Sequence, residues 1–134
     1  MSVKVSVLMS VYDPRPFSQM EKAVESVMDQ TLTEWELLIY NDGSHEEYRE
    51  RIMRLAGRDP RIRYLEGRAN RGIAYGLNQC IRHAEGKFLA RMDADDVSLP
   101  ERLERQTEFL ERHPEYDYVG CSAFLIGGEE IWGA

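Results

Sequence analysis

Apolar residues gather along this chain in short dense runs, and stretches with helical spacing lie between them. Val3 to Val11 is rich in valine and too continuous for a half-exposed strand, so it reads as a strand buried on both faces, as in a parallel sheet. Asp13-Pro14-Arg15-Pro16 breaks the run, and Met20, Val24, Val27 and Met28 then recur at helical spacing. Ser18 and Glu21 predict a capping box for that helix. Trp35 to Tyr40 predicts a second strand, ending at Asn41-Asp42-Gly43-Ser44. Tyr48, Ile52 and Leu55 mark the next helix, with Ser44 and Glu47 as its capping box and Gly57 as its stop. A short third strand runs from Arg61 to Leu65, and Asn70-Arg71-Gly72 leads into a helix with Ile73, Leu77, Ile81 and Ala84, closed by Gly86. Lys87 to Met92 predicts a fourth strand, which runs into Asp93-Ala94-Asp95-Asp96. Ser98 and Glu101 are placed to cap a last helix carrying Leu99, Leu103, Phe109 and Leu110, ending near Pro114. Tyr118 to Ile126 predicts a fifth strand, ended by Gly127-Gly128, and Ile131 and Trp132 beyond it have no partner element.

Alternation of strands and helices predicts an α/β fold. The expectation is a three-layer α/β/α arrangement around a mainly parallel, twisted, Rossmann-like sheet with right-handed crossovers. No linker, repeat or low-complexity stretch interrupts residues 1–134, so a single domain is expected. Ligands of such sheets sit at the carboxyl ends of the strands. Here those ends are polar: Ser10, Tyr12 and Asp13 after the first, Asn41 and Asp42 after the second, Asp93, Asp95 and Asp96 after the fourth. Singly, each has an ordinary explanation, since Asp13 before Pro14 and Asn41-Asp42-Gly43 are also turn chemistry. Their convergence on one rim favours a binding site.

Composition narrows the class. With 43% hydrophobic and 31% charged residues the chain is globular, and its net charge of −7 disfavours nucleic acid, which wants a basic face. Fourteen of the seventeen cations are arginine, and eight of these fall between Arg49 and Arg71, which reads as a solvated face with its ion pairs. Cys80 and Cys121 sit in apolar patterns and read as small buried hydrophobes rather than a disulfide framework. His45, His83 and His113 are too scattered for zinc spacing. No apolar run approaches the ~18 residues of a membrane helix, and the amino terminus lacks the layout of a signal peptide. The expected compartment is the cytoplasm.

The acidic cluster is the strongest single signal. Three carboxylates within four positions repel one another, a costly arrangement without a cation. In extended backbone Asp93 and Asp95 point the same way. Hard divalent cations favour such oxygen ligands, and magnesium often takes only one or two carboxylates, completing its shell with substrate phosphates and water. A D-x-D pair after an apolar strand therefore suggests a metal–diphosphate site.

Taken together, Val5-Ser6-Val7-Leu8-Met9-Ser10-Val11-Tyr12, Asn41-Asp42-Gly43-Ser44, Asn70-Arg71-Gly72 and Asp93-Ala94-Asp95-Asp96 resemble family 2 glycosyltransferases. Gln30-Thr31, Leu99-Pro100 and Arg102-Leu103 fit the same resemblance, which covers nearly the whole chain in order. It implies a GT-A fold, a nucleotide-sugar donor (a UDP-sugar in the first instance) and Mn2+ or Mg2+. Carried over, Asp42 would hydrogen-bond the nucleobase, with Asn41 in the place of the motif's first acid. Ser10 and Tyr12 would line the nucleoside pocket, and Asp13 stands where the family often has Asn. Arg71 would approach the base or the diphosphate. Asp93 and Ala94 would lie against the donor, with Asp95 as the metal ligand, Asp93 sharing it and Asp96 holding the loop or supporting the metal from behind these ligands.

The family's chemistry is displacement at the anomeric carbon with inversion, aided by a carboxylate base for the acceptor hydroxyl. The resemblance places that base beyond residue 134, so the chain is expected to be the donor-binding, N-terminal half of a GT-A fold and incomplete as a catalyst. The implied acceptor is a carbohydrate or a lipid-linked sugar, which would bring the chain peripherally to the inner membrane face. An uncovered sheet edge would also permit homo-oligomers. Two alternatives stay open. One is a non-catalytic nucleotide-sugar binder. The other is a receiver-type signalling domain, which fits the size and alternation but has only Asp13 and Glu66 near its acidic positions and no Lys after Lys87.

Overall fold

The computed structural model describes residues 2–127 and 130–133. The chain divides into two compact units, Met1–Glu104 and Arg105–Ala134.

The first unit contains β1 (Val5–Val11), α1 (Phe17–Met28), β2 (Trp35–Asp42), α2 (Glu46–Ala56), β3 (Ile62–Gly67), α3 (Ile73–His83), β4 (Phe88–Arg91) and the start of α4 (Arg102–Arg112). The strands form one sheet in the order β3-β2-β1-β4, and every pairing is parallel. The predicted α/β architecture is therefore present. Register sets Val5 beside both Trp35 and Phe88, and Val11 beside Asn41.

Both faces of the sheet are apolar, which explains the unbroken runs in β1 and β2. Val5, Val7, Met9 and Val11 with Trp35, Leu37 and Ile39 face α1 and α2, where Met20, Val24, Val27, Ile52 and Leu55 close the larger core. Each such side chain contributes roughly 1.5–3 kcal/mol by leaving water. On the opposite face Leu8, Leu38 and Tyr40 pack with Cys80 of α3. Gly76 brings α3 down onto the sheet, because a Cβ there would run into the Ser10 side chain and the Tyr40 ring. Burial pushes the Cys80 thiol up to about 11, so it behaves as a small hydrophobe, as expected.

The arginine-rich stretch is largely spent on pairing. Arg49 grips Glu66, Arg58 meets Glu25, Arg61 meets Asp59, and Arg63 reaches Glu36. Arg51 lies over the Phe17 ring at 4.2 Å. Among the described residues no helix is long and apolar enough to cross a membrane.

The second unit holds the rest of α4 and an antiparallel ribbon of β5 (Phe124–Gly127) and β6 (Glu130–Gly133). This corrects the predicted fifth strand, since Tyr118 to Ile126 does not join the parallel sheet. Tyr118, Gly120 and Cys121 lie in irregular backbone, and Tyr118 and Cys121 are exposed, so Cys121 is not the buried hydrophobe its neighbours suggested. In register, Ile126 pairs with Ile131 and Leu125 with Trp132. A local antiparallel partner closes a short loop, whereas a parallel neighbour needs a long crossover.

The capping boxes are also corrected. The N-caps of α1 and α2 are Pro16 and His45, neither with a side-chain cap, and α4 starts only at Arg102, four residues past Ser98. Ser44 is diverted elsewhere, as described below.

Candidate functional site

From β1 the chain adds β2 and β3 on one side of the sheet and then crosses to β4 on the other. The order reverses between β1 and β4, and the crevice outside their carboxyl ends is where open α/β sheets hold ligands. The loops after β1 and β2 flank it on one side, and the loop after β4 on the other.

The β1 and β2 loops are stapled together. The Asp13 N–H donates to Ser44 Oγ (2.9 Å), and the His45 N–H donates to Asp13 Oδ1 (2.9 Å). His45 Nδ1 lies 2.6 Å from Asp13 Oδ2. Asp13 takes a left-handed φ of 41°, a conformation that Asp and Asn tolerate better than most residues. Burial works to raise its pKa, but the hydrogen bonds from His45 and the attraction of His45 and Arg15 outweigh it and hold the carboxyl below its ordinary value. Asn41 Oδ1 accepts the Ser44 N–H, and its Nδ2 donates to the Tyr64 hydroxyl, which donates on to Glu66. Buried Asn41 thus uses a donor that the motif's usual acid lacks.

Asp42 is 3% exposed, and its two oxygens accept the N–H groups of Arg71 and Gly72 at 2.9 Å each. It therefore pins the loop that opens α3, while each oxygen keeps a second lone pair. Gly43 makes this possible: at φ 75° it turns the chain, and a Cβ there would sit 2.5 Å from the Ala69 carbonyl carbon. The Arg71 guanidinium lies 4.9 Å over the Tyr75 ring. Tyr12 is 45% exposed at the rim, its ring 6.4 Å from that of His45. Ser10 is half-buried beneath α3.

Across the crevice, Asp93, Asp95 and Asp96 bring carboxylate oxygens within 4.8 Å of one another. Arg91 approaches Asp93 at 3.5 Å. Burial raises the pKa of Asp96, and the charges of Asp95 and Asp93 add to it. Hard oxygen donors carrying unbalanced negative charge fit a divalent cation. Asp96 joins this group rather than only holding the loop, although its N–H also closes a turn onto the Asp93 carbonyl. Ala94 lies between the acids and is half-buried.

Gln30 and Thr31 fix the segment that follows. Gln30 Nε2 donates to the Leu99 carbonyl, its Oε1 accepts the Leu103 N–H, and Thr31 donates to Glu104. The structure thus brings the expected residues together in three groups: Asp13 with Asn41 and Ser44, Asp42 with Arg71, and the three acids of the β4 loop. Sequence reasoning missed His45, because nothing in the spacing pairs positions 13 and 45. The link becomes visible only once register sets Val11 beside Asn41.

Comparison with known proteins adds to this geometry. The family model described as glycosyl transferase family 2 matches residues 6–132. The relatives include two from Bacillus subtilis (strain 168) that are provisionally assigned as glycosyltransferases. EpsE is 34% identical over 98% of this chain, and TuaG, assigned to teichuronic acid biosynthesis, is 33% identical over 95%. The chain spans 47% and 50% of their respective lengths. Among solved structures, Staphylococcus aureus TarS 1–349 in complex with UDP-GlcNAc gives a TM-score of 0.74 at 22% identity, over 84% of this chain and 32% of that one. The mannosyltransferase PcManGT of Pyrobaculum calidifontis, in complex with GDP-Man and Mn2+, gives 0.72 at 22%, over 82% of this chain and 33% of that one. The likeness to these two structures is one of fold.

Proposed function

Since the chain belongs to glycosyl transferase family 2, we propose that it binds a nucleotide-sugar donor, a UDP-sugar, for inverting transfer to an acceptor hydroxyl on a carbohydrate or lipid-linked sugar. The observation that carries this reading is the division of the rim. A partly exposed aromatic ring and a buried acid, Tyr12 and Asp42, stand on one side of the strand-order reversal, and a triple carboxylate stands on the other. That division matches a nucleoside on one side and a diphosphate on the other.

In this reading Tyr12 packs against the base, Ser10 lines the floor, and Asp42 accepts from the base with a lone pair that the loop amides leave free. Arg71, whose backbone Asp42 holds, presents its guanidinium to the base or the diphosphate. Asp95 with Asp93 would hold Mn2+ or Mg2+, with Ala94 beside the donor. When bound, the metal supplies Lewis-acid neutralisation of the leaving diphosphate. The Gln30–Thr31 clamp keeps the acids in place by fixing residues 99–104.

Calorimetry with UDP, with and without Mn2+, tests the reading. Metal-dependent binding that Tyr12→Ala and Asp95→Asn weaken is the expected result. Absence of UDP binding in both conditions, by folded protein, would overturn it.

A further inference from the structure

The Asp13–His45 pair occupies the rim without a part in the roles above. The Asp13 side chain is 4% exposed and that of His45 70%. A buried acid thus holds an exposed imidazole by two bonds, one to its backbone N–H and one to its ring. An ionised carboxylate only accepts hydrogen bonds, so the ring nitrogen facing it, Nδ1, carries the proton. In the neutral ring Nε2 is then an acceptor, and it is the nitrogen left for a ligand. The ring stands beside Tyr12. It follows β2, and β1 separates β2 from β4 and the acids.

We propose that His45 is a donor-binding residue whose Nε2 hydrogen-bonds a ribose hydroxyl of the nucleoside, the imide N–H of the base being left to Asp42, and that Asp13 is the positioning residue that holds the ring by Nδ1. The inference rests on the nucleotide-binding reading above. It gives the backbone at Asp13 a function: a left-handed residue between Tyr12 and Pro14 turns a carboxylate inward, beneath the ring it orients.

The geometry separates this role from a structural one. Asp13→Asn retains an oxygen for the His45 N–H but sets an N–H donor against Nδ1. The neutral ring then protonates on Nε2, which can still donate to a hydroxyl, itself both donor and acceptor. The staple survives and the sense of the hydrogen bond reverses.

The test uses the full chain with 15N-labelled histidine and Mg2+, titrated with UDP and followed by NMR and calorimetry. His45→Ala, in which only an exposed side chain is removed, assigns the His45 signals. UDP is expected to shift the His45 Nε2 resonance, and His45→Ala to weaken UDP about five- to tenfold, the effect of one hydrogen bond. Asp13→Asn is expected to interchange the Nδ1 and Nε2 signatures and to weaken UDP by less than His45→Ala does, with the double variant no worse than His45→Ala alone. Between 2′-deoxyuridine diphosphate and 3′-deoxyuridine diphosphate, one should be bound equally by parent and His45→Ala, and that one identifies the hydroxyl. UDP binding with His45 resonances unmoved, or both analogues still sensitive to His45→Ala, would overturn the inference and leave the nucleotide site standing. No UDP binding by the parent chain would overturn both.

Discussion

A single carboxylate and a cluster of three stand at opposite ends of the same sheet, and they are treated in opposite ways. Near the amino ends of the strands, Glu36 is buried, and both of its oxygens are engaged. Oε2 accepts the Ser6 hydroxyl (2.6 Å) and the Glu85 N–H (2.7 Å), and Oε1 accepts Arg63 (2.9 Å). Burial works to raise its pKa, and these partners outweigh that and lower it. At the carboxyl end, Asp93, Asp95 and Asp96 crowd within 4.8 Å, with one guanidinium 3.5 Å from Asp93. The first is finished by the protein itself and ties β1, β2, β3 and the entry to β4 together. The second leaves charge for something else to balance. A carboxylate with every oxygen satisfied belongs to architecture, and the acids crowded at the rim are the ones the proposed metal site would use.

The largest expected effect comes from emptying the finished site. Glu36→Ala leaves Ser6, the Glu85 N–H and Arg63 without their acceptor, and should cost about 3 kcal/mol, Arg63 being partly solvated. Urea denaturation followed by circular dichroism measures it, and a loss under ~1 kcal/mol would break the contrast.

Next in size is Gly76→Ala, which drives a methyl into Ser10 and Tyr40 and should cost ~1–3 kcal/mol by overpacking. The same denaturation reads it, and UDP affinity should fall with it, because Ser10 lines the proposed nucleoside pocket.

Acid titration gives a smaller, signed effect. A carboxyl whose folded pKa is lowered adds stability above its unfolded pKa and loses it as pH falls through the ordinary carboxylate range, ~4. Glu36 and Asp13 both shift that way, so stability of the parent should decline below about pH 4.5. Glu36→Gln should be less stable at neutral pH yet decline less steeply below that point. Parallel curves would mean that Glu36 is not the titrating anchor.

Asp95→Asn should change stability least, within about 0.5 kcal/mol, and relief of repulsion makes a small gain the expected sign. The same substitution should weaken UDP with Mn2+ present and leave binding in chelator unchanged. An equal loss in chelator would show that Asp95 meets the nucleotide directly.

The sheet and its helices were legible because their apolar periodicity is written in contiguous residues. Val5 to Val11 and Trp35 to Tyr40 could hardly be other than buried strands. Legibility ended where a residue's partner is distant in sequence. Ser44 and Glu47 have the spacing of a capping box, yet Ser44 Oγ serves Asp13, 31 residues away. The acidic loop after β4 could be read, whereas its clamp by Gln30 spans 69 residues and was legible only as resemblance. Tyr118 to Ile126 looked like another parallel strand because propensity carries no information about direction, and β6 supplied a nearer partner.

β4 is one of the two edge strands of its sheet and pairs with β1 over four positions, Phe88 to Arg91, against six between the other edge strand, β3, and β2. The acidic loop therefore hangs from the part of the sheet that opens at least cost. Local opening of such an edge exposes its amides to exchange well before the centre does. A ligand that spans from Tyr12 to Asp95 would have to close that edge each time it binds, and part of its affinity would be consumed in ordering β4. Slowed hydrogen exchange at Phe88 and Met92, whose N–H groups donate to Lys4 and Leu8, with little change at Met9 or Ile39, would be the mark of occupancy. The strand that presents the three acids would then also report whether the proposed site is filled.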